Sequence, residues 1–232
     1  MGIIFIGLFF MIIGMIVSSK LKSKFKKYSE VHLAKDLSGE QVAKLMLADH
    51  GINDVKVTCV EGQLTDHYNP ATKTVNLSEA VFTGRNASAT AVASHECGHA
   101  VQHATAYSML SLRSALVPVQ NISSTILNVI FMAMIFGGAL LQNIIPWSTA
   151  ILVIVLCYAV FALFALITLP VEFDASNRAL AWVKSRSIVT PQEYDMAKDA
   201  LKWAAMTYVV VAIGAVVTLM YYLMILFAGR RD

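Results

Sequence analysis

The chain has 232 residues, of which 57% are hydrophobic and only 14% charged, with a formal net charge of +3. Its mean hydropathy of +0.63 excludes an ordinary soluble domain, where apolar content is nearer about 45–50%. The slight positive balance reads as a topology signal rather than a nucleic-acid surface.

The first apolar run, residues 3–19, contains no Asp, Glu, Lys or Arg and is long enough to cross a bilayer as a helix, which takes roughly 17–25 residues. It begins without a basic flank, and Lys20 stands where a cleavage site would need small residues, so an uncleaved anchor is expected rather than a signal peptide. Lys20, Lys22, Lys24, Lys26 and Lys27 follow at once. The positive-inside rule then puts the amino terminus outside and the next segment in the cytoplasm. The same strip can grip anionic lipid.

Residues 28–115 form the one sizeable hydrophilic stretch and read as a compact α+β unit. Ser38-Gly39-Glu40-Gln41 has the form of a capping box before the apolar stripe Val42, Leu45, Met46 and Leu47, with Gly51 as the stop. Val55, Val57 and Cys59 alternate with polar residues as in a strand, and residues 74–77 do the same. Between them, Asp66-His67-Tyr68-Asn69-Pro70 reads as a turn. A helix is expected over residues 88–106. Cys59, Cys97 and Cys157 form no metal or disulfide pattern, which suits a reduced compartment.

Three further uncharged runs, residues 117–142, 150–170 and 204–229, complete four expected spans. The connection near residues 143–149 has no Lys or Arg, as an outside loop should, and Arg178, Lys184, Arg186, Lys198 and Lys202 return after the third span. Arg230 and Arg231 are a mild objection to this orientation. The expected organisation is an anchor (1–19), a cytoplasmic domain (20–115), a membrane hairpin (116–170), a cytoplasmic helical segment (171–203), and a last span with a short tail (204–232).

The chemistry is concentrated in His95-Glu96-Cys97-Gly98-His99. H-E-x-x-H on a helix sets two imidazoles one turn apart on one face, about 40° apart around the axis, with a carboxylate beside them. Such a pair suits one Zn²⁺, which polarises a water, and Glu96 is placed to take a proton from it and pass it to a leaving amine. Cys97 turns away from both histidines, and Gly98 leaves room for another backbone. A catalytic zinc needs a third protein ligand. His103 lies about 12 Å of helical rise from His95, and Thr105 stands where a metzincin would have its third histidine. Glu172, at the foot of the third span, is the expected third ligand, with Asp174 as competitor. Two membrane crossings separate it from His99 and return the chain to the same face.

The residues D-H-Y-N-P at 66–70, K-T-V-N-L-S at 73–78, S-H-E-C-G-H-A-V-Q-H-A at 94–104 and L-P-V-E-F-D-A-S at 169–176, behind an amino-terminal anchor, resemble the YugP-type neutral zinc metallopeptidases of bacterial membranes. The resemblance spans nearly the whole chain, and the family is in turn distantly similar to the HtpX membrane proteases. It implies a mainly α, polytopic membrane protein with four transmembrane helices and a small α+β, zincin-like cytoplasmic domain carrying the H-E-x-x-H helix. It also implies His95, His99 and Glu172 as ligands of one Zn²⁺ per chain and Glu96 as base. Ser176 departs from the HtpX pattern, which has an aspartate there to orient a zinc-bound histidine. Ser176, Asn177 or Asp174 is expected to supply that hydrogen bond. In zincins an extended peptide adds to a sheet edge, so Val75, Asn76 and Leu77 are candidates for pairing with substrate. His67, Tyr68, His103 and Arg178 are open candidates for stabilising an oxyanion.

These features predict an endopeptidase of the bacterial inner membrane, facing the cytoplasm and cutting membrane or membrane-associated polypeptides. The alternative is a noncatalytic assembly factor in which zinc staples the soluble unit to the third span. Transport is disfavoured because the four runs lack the charged residues that mark an ion path.

Overall fold

The computed structural model describes residues 2–144 and 146–228. In chain order the elements are α1 (Gly2–Ser29), α2 (Gly39–Asp49), β1 (Lys56–Val60), β2 (His67–Asn69), β3 (Thr74–Ser78), α3 (Glu79–Phe82), α4 (Ala87–Ala104), α5 (Ser108–Ile144), α6 (Trp147–Ser185) and α7 (Pro191–Ala228). The chain divides into two compact units, one of Met1–Gly14, Leu112–Leu169 and Tyr208–Asp232, the other of Met15–Ser111 and Pro170–Thr207.

The first unit is the membrane part. Four helices, within Gly2–Ser29, Ser108–Phe136, Trp147–Ser185 and Pro191–Ala228, are long and apolar enough to span a bilayer. They turn large apolar side chains outward: Phe5, Phe9 and Ile12 on α1, Ile122 and Val129 on α5, Leu156 on α6, Met220 and Met224 on α7 are all exposed. In water so much exposed apolar surface would drive association, whereas in lipid it is the solvated face. Leu127, Ile151, Ile154, Val155 and Tyr222 form this unit's core, and Tyr158 stacks on Tyr222 with ring centroids 5.1 Å apart. The protein is therefore a mainly α, polytopic membrane protein. Arg230 and Arg231 lie outside the described residues, as does part of the connection at residues 143–149.

In the second unit, local signals and packing agree. Ser38 caps α2 by accepting from the Gln41 N–H, and the Gln41 side chain accepts from the Ser38 N–H in return, a reciprocal pairing that satisfies two otherwise orphaned donors. Gly51 ends the helix at φ +68°, a conformation that costs glycine little. The sheet has the order β1-β3-β2, with β1 parallel and β2 antiparallel to β3. Val42, Met46, Val75, Leu77, Val81, Ala93 and Cys97 close a core between α2, the sheet and α4. Each fully buried large aliphatic side chain there contributes roughly 1.5–3 kcal/mol.

Two expectations need correction. Residues 67–69 form strand β2 rather than a turn, because Tyr68 pairs with Val75 across the antiparallel ladder, and pairing outweighs local turn preference. The apolar runs also understate the helices: α6 continues through Pro170 to Ser185, and α5 begins at Ser108. A helix follows its hydrogen-bond ladder, while hydropathy marks only the part in lipid.

Candidate metal centre

α4 is capped at its start by Asn86, whose side chain accepts from the Ala89 N–H. It buries most of its length, so polar residues on it need partners. One turn apart on the helix, His95 and His99 lie with ring centroids 4.8 Å apart and nearly perpendicular planes. Glu172 comes from α6. Its Oε2 is 3.4 Å from His95 Nε2 and 3.6 Å from His99 Nε2, and ligand atoms of the three residues all fall within 4.8 Å of one another. A tetrahedral zinc with bonds of about 2.0–2.2 Å has ligand-to-ligand edges of roughly 3.3–3.6 Å. Both edges from the carboxylate to the imidazoles match that ion.

The close approach of α6 to α4 rests on Gly98. A Cβ there would meet the Ala175 carbonyl oxygen at 2.5 Å and the Ala175 Cα at 3.1 Å. Only glycine lets the backbone carrying Glu172 come this near.

The outer nitrogens of both histidines are engaged. His95 Nδ1 pairs with Ser176 Oγ at 3.1 Å. His99 Nδ1 donates to Gln102 Oε1 at 3.0 Å, while Gln102 Nε2 donates to the Val171 carbonyl at 2.7 Å and to Asp174 Oδ2 at 2.8 Å. Asp174 is held in turn by Arg178 Nε. The Gln102 oxygen, which can only accept, selects the His99 tautomer that leaves its Nε2 lone pair toward the triangle, and Ser176 fixes the orientation of the His95 ring. Gln102, fully buried, was missed from the sequence; its one signal is a glutamine three residues after the second histidine, on the same helical face.

Electrostatics point the same way. Burial pushes the Glu172 carboxyl up, but its contacts with His95 and His99 outweigh that and hold it well below the usual carboxylate range. For His99, burial opposes charge, and the Glu172 and Glu96 carboxylates more than offset it, raising its pKa. The triangle thus presents a buried anionic oxygen between two imidazoles, a donor set suited to a divalent cation.

Glu96 is buried beside this group, and its Oε2 accepts from the Tyr68 N–H at 2.9 Å. The edge strand therefore orients the carboxylate. Other expected residues are distributed differently. Asn177 is exposed and joins neither histidine. Cys97 is fully buried with Sγ toward the Ala43 carbonyl, and burial pushes its thiol above the ordinary range. Tyr68 Oη pairs with His103 Nδ1 at 2.7 Å, His67 Nδ1 donates to the Thr65 carbonyl, and Arg178 is spent on Asp174.

The substrate-edge expectation for Val75, Asn76 and Leu77 is corrected by the sheet order. They belong to β3, the central strand, which is already paired on both sides. Val75 and Leu77 are fully buried. The strand with an outer edge next to α4 is β2.

A family model described as "Putative neutral zinc metallopeptidase" matches residues 3–227. A curated protein of Bacillus subtilis (strain 168), described as "Putative membrane protease YugP", is 40% identical over 213 residues, covering 92% of this chain and 91% of its own length. No solved structure matches. With a family model spanning it almost end to end and a relative of this identity and coverage, the chain belongs to the neutral zinc metallopeptidase family.

Proposed function

We propose that the protein is a zinc-dependent endopeptidase of the bacterial inner membrane, hydrolysing peptide bonds of membrane or membrane-associated proteins at the cytoplasmic face. The observation that carries this reading is the convergence of His95, His99 and Glu172 next to a carboxylate, Glu96, that is not part of the triangle. His95 Nε2, His99 Nε2 and Glu172 Oε would hold one Zn²⁺. When bound, zinc acts as a Lewis acid toward a water and a substrate carbonyl.

Glu96 takes a proton from the attacking water and delivers it to the departing amine, and the Tyr68 N–H keeps its carboxylate aimed while it does so. Ser176 orients His95, and the Gln102–Asp174 pair orients His99. An extended polypeptide would lie along the outer edge of β2, where the Tyr68 N–H is already held by Glu96. A structural zinc would favour four closed ligands and would need no base. Among the described residues the cluster has three ligands, which supports catalysis over a staple.

The test is hydrolysis by the purified full chain of a membrane-anchored polypeptide, with zinc, after chelation, and after zinc is restored. Activity should vanish on chelation and return with zinc. Hydrolysis that persists without metal would sink the reading.

Orientation has its own check. A cysteine placed near Trp147 should react with an impermeant thiol reagent on intact cells, and one near Ser38, at the exposed Lys35, should not. The opposite pattern would put the active site outside.

A further inference from the structure

The membrane unit contains a groove that peptide hydrolysis does not use. It has a volume of about 620 Å³ and is lined by side chains of α5, α6 and α7, among them Arg113, Gln120, Asn121, Phe161, Phe164 and Ala215.

Arg113 lies within the first two turns of the α5 span, near the bilayer surface by its position in the chain. Its Nε is buried without a hydrogen-bond partner, and among the described residues Arg113 joins no ion pair. Its guanidinium rests over the Phe164 ring, 5.8 Å from the centroid. A cation on a spanning helix is costly unless an anion or water meets it, and a ring face compensates only in part. Among the described residues none supplies that anion, which leaves a place for one from outside.

The rest of the groove indicates what carries it. Gln120 and Asn121 lie two turns deeper on the same helix, and side chains on a helix lean toward its amino-terminal end, here toward Arg113. Both line the same groove as Arg113 and carry amide groups that can donate hydrogen bonds. Phe161 and Phe164 of α6 and Ala215 of α7 add apolar wall. A cation at the mouth, amides deeper along α5 and hydrocarbon alongside match, in order, a phosphate, glycerol esters and an acyl chain. Basic pockets between spanning helices hold anionic lipid heads by this logic. A spanning polypeptide segment fits less well, since it offers no fixed anion at that depth.

We propose that this groove is a binding site for one anionic phospholipid, its phosphate on Arg113 and an acyl chain along Phe161, Phe164 and Ala215.

The test is native mass spectrometry of the purified full chain in detergent, titrated with phosphatidylglycerol or phosphatidylcholine of identical chains. The wild type should retain one phosphatidylglycerol, with a preference of roughly fivefold over phosphatidylcholine. Arg113→Gln should abolish the preference and Arg113→Lys should keep part of it. Ala215→Trp, which fills the groove, should lower retention of both lipids. Equal retention by the wild type, or a preference that survives Arg113→Gln, would overturn the proposal. A photoreactive residue replacing Phe161 in native membranes gives a second reading that needs no change at Arg113. Crosslinking to lipid supports the site, and crosslinking to a polypeptide would assign the groove to a spanning segment instead.

Discussion

Glu96→Gln is expected to retain zinc and to lower proteolysis by about 100- to 10,000-fold, the range that positioned proton transfer contributes. The substitution preserves shape and volume. It also keeps an acceptor oxygen for the Tyr68 N–H, 2.9 Å away in the native chain, so the edge strand should stay where it is. What disappears is the proton-accepting function alone, since Glu96 is not in the triangle of His95, His99 and Glu172. Zinc content and cleavage rate, measured on the same preparation, separate the two roles. A variant that loses its metal would make Glu96 a ligand, and one that cleaves normally would move the base elsewhere.

Glu172→Gln should act on the other quantity. The carboxylate is 3.4 Å and 3.6 Å from the two Nε2 atoms and is kept ionised by them against the cost of burial. A carboxamide of the same size leaves two imidazoles with no anionic oxygen. Zinc affinity should fall by more than about 100-fold, beyond the 10- to 100-fold typical of an outer-shell loss. Gln102→Leu supplies that comparison within the same protein, because it removes the partner of His99 Nδ1 and leaves all three donors in place. Competition with a chelator of known affinity should rank wild type, Gln102→Leu and Glu172→Gln in that order, with membrane insertion unchanged. Full occupancy in Glu172→Gln would transfer the third position to another residue. Asp174 is poorly placed for it, being already committed to Gln102 and Arg178.

The site and the fold were legible in the sequence to different depths. The four spans could be read because each uncharged run is itself the physical requirement for crossing lipid. α2 could be read because Ser38 and Gln41 carry a local, reciprocal hydrogen-bond code. His95, Glu96 and His99 were legible because helical periodicity fixes their relative placement without any tertiary knowledge. Glu172 was reachable by a topological argument, since two crossings return the chain to one face.

What could not be read depended on contacts distant in sequence. β2 is a strand only because β3 lies beside it, and its own residues favour a turn. That β3 is central, and so closed to substrate, follows from a sheet order that alternation cannot reveal. Gln102 matters because Val171 and Asp174 of α6 meet it, and nothing in its immediate neighbours announces that meeting. The extension of α6 through Pro170 was hidden for a related reason. Proline is a helix breaker by local preference, and the surrounding ladder overrides it here.

The order of the donors along the chain has a consequence for biogenesis. α4, with His95 and His99, leaves the ribosome well before α6, and all of α5 intervenes. Translation proceeds from the amino terminus and domains form as their parts emerge, so the triangle stays one corner short until α5 and the apolar part of α6 have been made. A nascent chain would therefore hold an incomplete site throughout the period when its own unfolded segments are exposed nearby. The complete triangle would arise only once α5 and the ligand-bearing part of α6 exist, so metal capture would be coupled to completion of the membrane helices rather than to the folding of α4 alone.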